Sequence, residues 1–172
     1  SSNKNVVSDN NITNNSINPS GDYRLPYFNA GEDLDAGVLI IASSNHTVCN
    51  NTVMYNKRQG IVIINSTWSC LKKNNVSQHR DTSTTTWKCG VIIANSSYTT
   101  VLRNEIYNNM FIGVYIMNMS HHVNVSWNNI THNGDDGINL EHFPPQAKQD
   151  DKPAFPHNNT IFHNNITYNI HE

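Results

Sequence analysis

The chain has 172 residues, 14% of them charged, and a formal net charge of −2. That length suits one domain, and the balanced charge, with no basic stripe, excludes an electrostatic nucleic-acid surface. No apolar run is long enough to span a membrane as a helix, and no signal peptide opens the chain, which is expected to be a mature form or a fragment.

The first readable element is Val7/Asn10/Ile12/Asn15, of the form apolar-x-x-Asn-x-apolar-x-x-Asn. It recurs, with Asn or His last, at Val48/Asn51/Val53/Asn56, Leu71/Asn74/Val76/His79, Val101/Asn104/Ile106/Asn109, Val125/Asn128/Ile130/Asn133 and Ile161/Asn164/Ile166/Asn169. Between these stand glycines that each open an apolar run: Gly37, Gly60, Gly90, Gly113 and Gly137, spaced 23, 30, 23 and 24 residues apart. A unit near 23 residues with occasional insertions marks a solenoid. Val and Ile at alternating positions, broken by Gly and Asn, favour short strands over helix. Stacked units form parallel sheets about 4.8 Å apart. Asn10, Asn51, Asn74, Asn104, Asn128 and Asn164 are predicted to form a structural ladder of side-chain amides. Asn is also the expected corner residue, because it tolerates left-handed backbone angles.

In chain order, residues 1–15 are the second half of a coil and 16–36 an insertion at its corner. Coil two is regular, and coil three carries a second insertion, 79–89. The coils from Gly90 and Gly113 are regular. The last coil, from Gly137, holds a Pro-rich insertion, 143–157, and regains register at Asn158–Asn169. The prediction is therefore one all-β domain over 1–172, with about six coils and three loop insertions.

The Gly-x-Ile-x-Ile and Asn-x-Ile-x-x-Asn elements resemble the right-handed parallel β-helix repeat of pectate-lyase-like, polygalacturonase-like and copper-maturation (NosD-like) periplasmic proteins. The resemblance covers nearly the whole chain and implies the fold. It implies no single activity, because the group includes lyases, hydrolases, epimerases, adhesins and inert scaffolds.

Asparagine is over-represented, at 30 residues. Twelve Asn-x-Ser/Thr sequons begin at Asn11, Asn14, Asn45, Asn50, Asn65, Asn75, Asn95, Asn118, Asn124, Asn129, Asn158 and Asn165, where composition alone gives about five. Asn65, Asn95 and Asn118 share one repeat position, and Asn11, Asn75, Asn129 and Asn165 another. Covalent N-glycans at these positions would stand in rows. They imply an extracellular or cell-surface protein.

Cys70 and Cys89 flank the second insertion, and a disulfide there would contribute about 3 kcal/mol. Cys49–Cys70 is the rival pairing, and either leaves one odd cysteine. Alternation puts Leu39, Val62, Ile92 and Tyr115, with Ile41, Ile64, Ala94 and Met117, on the outer face of the glycine strands. Such a face must be covered. The first insertion offers Leu25, Tyr27 and Phe28 for this, and another subunit is the alternative.

The best catalytic candidates are Asp135 and Asp136, followed by Glu141 and His142. Asp-Asp-Gly resembles a piece of the polygalacturonase aspartate cluster. A two-carboxylate site needs its groups about 5 to 9.5 Å apart, however, and adjacent residues on a strand point to opposite faces. The matching corner one coil earlier is Met110-Phe111-Ile112 and supplies no third acid. Asp22, Glu32, Asp33 and Asp35 are candidates for Ca²⁺, with no loop pattern to enforce it. The nine histidines match no zinc spacing, so no metal or other cofactor is assigned. Trp68, Trp87 and Trp127 are candidates for stacking on sugars or for packing.

The function these features predict is a secreted, glycosylated structural solenoid that self-associates into a fibre or surface layer. The alternative is a carbohydrate-active enzyme or sugar-binding module, working at the Asp135/Asp136 corner or in the cleft between the first two insertions. Neither reading involves nucleic acid.

Overall fold

The computed structural model describes residues 4–15, 36–80, 88–141 and 155–170. Among them are β1 (Val6–Ser8), β2 (Asn11–Thr13), β3 (Ala36–Ile41), β4 (Thr47–Cys49), β5 (Thr52–Met54) and β6 (Gln59–Ile64). Next come β7 (Cys70–Lys72), β8 (Asn75–Ser77), β9 (Val91–Ala94), β10 (Thr100–Leu102), β11 (Glu105–Tyr107) and β12 (Val114–Met117). The last are β13 (Asn124–Ser126), β14 (Asn129–Thr131), β15 (Ile138–Glu141), β16 (Thr160–Phe162) and β17 (Asn165–Thr167).

Every third strand stacks in register, and all pairings are parallel. Sheet A is β1-β4-β7-β10-β13-β16, sheet B is β2-β5-β8-β11-β14-β17, and sheet C holds the glycine strands β3-β6-β9-β12-β15. The chain is an all-β, right-handed parallel β-helix. Its core is a column of Val, Ile and Leu from all three sheets, including Val48, Val53, Ile61, Ile63, Leu71, Val101 and Ile130. The glycine before each sheet C strand leaves room for a close approach of backbone. A Cβ on Gly113 would lie 2.6 Å from the carbonyl oxygen of Gly137 and 2.6 Å from Ile130 Cγ2.

The corners are built differently from the expectation. The left-handed residue is not the ladder asparagine but the residue before it: Asp9, Asn50, Lys73, Arg103, Trp127 and His163, with φ between 53° and 60°. A second row, Asn45, Trp68, Tyr98, His122 and Asn158, is left-handed too. The corner tolerates these residues because the ladder beside it holds the geometry. Asn51 Nδ2 donates to Asn74 Oδ1 at 3.1 Å, Asn74 to Asn104 at 3.0 Å, Asn104 to Asn128 at 3.0 Å and Asn128 to Asn164 at 2.9 Å. Asn10 donates to Asn51 at 3.0 Å. The other amide hydrogen reaches a carbonyl one rung back, as from Asn104 to Leu71 at 3.0 Å. Buried amides thus keep their partners, which a core demands.

Two further ladders run parallel to this one. Asn15, Asn56, His79, Asn109, Asn133 and Asn169 form one. Ser66, Ser96 and Ser120 form the other, each hydroxyl accepting from a backbone amide one rung before. Ser66 and Ser96 each stand six residues after their strand's glycine and Ser120 seven after Gly113, so this ladder keeps the repeat's period.

The outer face of sheet C is buried over its middle strands and exposed at β3, where Leu39 is 43% accessible. Val62, Ile64, Ile92, Ala94, Tyr115 and Met117 are buried together with Cys89 and Ile112, and Ala36 and Phe111 pack against them. Residues of this chain pack against the middle strands of the face, and Leu39 at β3 remains exposed. Leu25, Tyr27 and Phe28 lie outside the described residues.

The cysteines require a correction. All three are free. Cys70 sits on sheet A, whereas Cys89 is in the apolar cluster outside sheet C, so the expected Cys70–Cys89 disulfide is not formed. The rival fails on register: Cys70 pairs with Thr47, two residues from Cys49. One strand spacing and two residues of rise put those Cα atoms about 8 Å apart, too far for a disulfide.

Candidate functional site

The Asp135/Asp136 corner leads into β15, the last strand of sheet C. Both aspartates are half-buried. On the outer face of the sheet, Asn139 pairs with Tyr115 and Glu141 with Met117. The apolar face therefore becomes polar at its last strand. The Tyr115 hydroxyl donates to Glu141 Oε2 at 2.7 Å, and the Asn139 side-chain amide donates to the Asp136 carboxylate. Burial first, then the acceptor Glu141, raises the Tyr115 phenol well above its usual range, so this hydroxyl is a donor and not a base at neutral pH. Asp136 and Glu141 are each engaged by a neighbour, and the matching corner one rung before, Met110, Phe111 and Ile112, supplies no acid. His142 lies outside the described residues.

A second feature lies at the other end of the molecule, on the corner between sheets B and C. A shallow groove of about 410 Å³ is lined by Asn14, Asn15, Tyr55, Asn56, Lys57, Gln78 and Arg80. Asn14, Asn15 and Arg80 of its lining stand at the ends of the described segments 4–15 and 36–80, and the predicted insertions lie largely outside the described residues. The body extends further than those boundaries suggest: His79, Lys88 and Cys89 are buried. The groove combines amides, one phenol half exposed at 51% and two cations, with no carboxylate in its lining. Tyr55, Lys57 and Gln78 carried no motif and were missed. They meet only because three rungs stack in register. Two rungs separate Gln78 from the Asp135/Asp136 corner, about 10 Å along the axis, and neither aspartate lines the groove.

Aromatic rows run up two corners. Trp68 stacks on Tyr98 with ring centroids 4.3 Å apart, and Tyr98 on His122 at 4.8 Å. Trp127 lies over His163 at 4.4 Å. Trp68 and Trp127 remain more than half exposed. Each thus packs against a row neighbour, Trp68 on Tyr98 and Trp127 on His163, while much of the ring stays open to solvent. Trp87 lies outside the described residues.

The sequons divide by exposure. Asn11, Asn14, Asn50, Asn65, Asn158 and Asn165 are exposed, and Asn45, Asn75, Asn95, Asn124 and Asn129 are half-buried. Asn118 is 2% exposed, which leaves no space for a glycan on it in this conformation. Among the described residues no three His, Cys, Asp or Glu side chains are arranged to hold a metal ion. Asp22, Glu32, Asp33 and Asp35 fall outside that set.

The ladders, the glycine sheet and the left-handed corners define a right-handed parallel β-helix. The profile of the family described as "Periplasmic copper-binding protein (NosD)" matches residues 1–136, and the chain belongs to that family. Comparison with curated proteins gives no match. Among solved structures it is similar to the periplasmic alginate epimerase AlgG, with a TM-score of 0.65 at 16% identity over 97% of this chain and 36% of that one. A double mutant of the same epimerase gives 0.62 at 17% identity over 77% of this chain and 36% of that one. At this identity the likeness shows the fold alone. The chain spans about a third of those neighbours' length.

The family's description names copper, and imidazole and thioether donors suit copper. His121, His122 and His157 supply imidazoles on one corner, with the exposed Met119 beside them. The donors fit in kind, although they are not assembled into a centre.

Proposed function

We propose that this β-helix works outside the cytoplasm as a carbohydrate-binding solenoid and holds a carboxylate-bearing polysaccharide in the groove at Tyr55, Lys57 and Arg80. The observation that carries the reading is the groove's lining: two cations, four amides and an exposed phenol. Amides serve sugar hydroxyls, cations serve uronate carboxylates, and a tyrosine face accepts the C–H face of a sugar ring. The family is described as periplasmic, as is the similar alginate epimerase, and both support a setting outside the cytoplasm. The role is binding, because the groove's lining holds no carboxylate to serve as acid or base.

The test is calorimetric titration with an oligouronate and with a neutral oligosaccharide of equal length. Binding of the oligouronate alone, weakened about tenfold or more by Lys57→Ala with Arg80→Ala and by added salt, is expected. Equal binding of both sugars, or loss of binding on Asp135→Ala/Asp136→Ala and not on the groove change, overturns it.

A second reading is head-to-tail assembly into a fibre with N-glycans on its sides. Exposed apolar side chains on the outermost described strands favour it: Val6 on β1, and Ile161 and Phe162 on β16. Electron microscopy at several concentrations tests it. Filaments are expected, and discrete particles at every concentration overturn it.

A further inference from the structure

The left-handed row on the corner between sheets C and A reads Asn45, Trp68, Tyr98, His122 and Asn158, with φ of 59°, 57°, 53°, 54° and 53°. The residue before each bridges rung to rung, in the order Ser44, Thr67, Ser97, His121 and His157. Side chains that share one backbone conformation and one register leave the corner in the same direction. The three in the middle are rings, stacked at 4.3 Å and 4.8 Å with planes 6° and 14° apart. The two at the ends are asparagines, and each opens a sequon: Asn45-His46-Thr47 and Asn158-Asn159-Thr160.

Trp68 gives one face to Tyr98. Its other face is turned to the rung of Asn45, and the side chain is 57% exposed. The indole is therefore steadied from one side and open on the side where Asn45 stands. Rungs repeat about every 4.8 Å, close to the separation at which Tyr98 already stacks on this ring. A flat ring carried on Asn45 Nδ2 reaches the open face at van der Waals distance. A pyranose offers such a face, built of C–H groups, and an aromatic ring accepts it. Asn158 repeats the arrangement beside His122, with a smaller ring.

We propose that Asn45 is an N-glycosylation site whose first sugar lies on the open face of Trp68, so that the aromatic row is the footing of a glycan. An outside transferase makes the transfer from a pyrophosphate-linked sugar. Asn45 Nδ2 bonds to the anomeric carbon, and the bond from that carbon to the pyrophosphate oxygen breaks. The pyrophosphate leaves with that electron pair, and Nδ2 gives one proton to a base of the transferase. The inference rests on the glycan-bearing reading above and not on the groove, which lies on the corner between sheets B and C. Asn50 supplies the comparison. It opens Asn50-Asn51-Thr52 with φ 56°, and one rung on stands Lys73 with φ 54°. The backbone arrangement is the same and the ring is missing.

The test uses the full chain secreted from a glycosylating host. Peptide mapping reads occupancy, and nuclear magnetic resonance reads the ring protons of the first sugar at each site. Sugar on Asn45 is expected, with its protons shifted upfield by the indole, while the sugar on Asn50 keeps ordinary shifts. Trp68→Lys copies the Asn50–Lys73 pair and should abolish the upfield shift. Asn45→Gln should lower the urea midpoint of the parent chain and not that of Trp68→Lys, since the coupling of glycan and indole is then already gone. Circular dichroism checks each fold, and the comparison of the two sugars within the parent chain decides without any substitution. A sugar on Asn45 with unshifted protons overturns the proposal. Sugar on Asn50 with Asn45 bare overturns it and leaves the glycan-bearing reading standing. A chain bare at every sequon overturns both.

Discussion

The backbone amide of Asn56 donates to Nδ1 of His79 at 3.2 Å, where the other rungs of the same column offer an asparagine oxygen. His79 is fully buried. Burial lowers its pKa from 6.5 to about 4, partly offset by the backbone of Asn56 and Val53. Between those values the unfolded chain binds the proton and the folded chain does not. Stability therefore rises with pH across this window and is lost as pH falls from about 6.5 to about 4. The full effect is about 3 kcal/mol. His79→Asn, the residue its column otherwise uses, should flatten that slope in denaturant titrations at pH 4.5, 5.5 and 7.5 (about one unit apart or more). An unchanged slope would assign the pH dependence to other groups.

The ladder should be strongest in its middle. Asn104→Ala removes the acceptor of Asn74's backbone and side-chain amides, at 2.9 and 3.0 Å, and the donor to Leu71. Each orphaned buried group costs about 1–3 kcal/mol, so a loss of about 3 kcal/mol or more is expected. Asn10→Ala, at the exposed end, should cost about 1 kcal/mol or less. Urea unfolding of the two variants makes the comparison, and equal losses would mean that the ladder is not read rung by rung.

Thiol chemistry checks the cysteine assignment. With no reductant present, the denatured chain should yield all three thiols to a colorimetric reagent. In the folded chain Cys89 should stay silent, because burial pushes it up to about 12. Cys70, half-buried, should react slowly: burial raises it, and nearby Lys72 only partly opposes this. Fewer than three denatured thiols would restore a disulfide.

Glycan occupancy is predicted from exposure. When the chain is secreted from a glycosylating host, peptide mapping should find sugar at exposed Asn50 and Asn65 and none at Asn118, which is 2% exposed. Sugar on Asn118 would require the end of β12 to open.

The body of the fold was legible because its period is written in buried residues. Gly90 and Gly113 stand where a Cβ would strike the next rung, and Asn104 and Asn128 stand where backbone amides need an acceptor. Substitution is costly at such positions, so the repeat survives in the sequence. The left-handed corners were half legible: asparagine is their commonest residue, as at Asn45, Asn50, Asn65 and Asn95, but Trp68, Lys73 and Arg103 also occupy them. The groove was half legible. Asn15 and Arg80 of its lining stand at the edges of predicted insertions, but Tyr55 and Lys57 acquire meaning only once their rungs are stacked. The Cys70–Cys89 expectation failed because closeness in sequence across a loop says nothing about which sheet each sulfur joins.

The left-handed rows have one more consequence. Specification of the fold lies inside the coil, and the corners accept nearly any side chain, so each corner is a column of freely writable sites at a constant pitch. A partner whose own repeat is commensurate with that pitch meets the same kind of side chain at every step. One that is not falls out of phase within a few rungs. Selectivity in such a molecule becomes a matter of measurement as well as of chemistry, with the solenoid serving as a ruler whose marks can be recut while its length stays true.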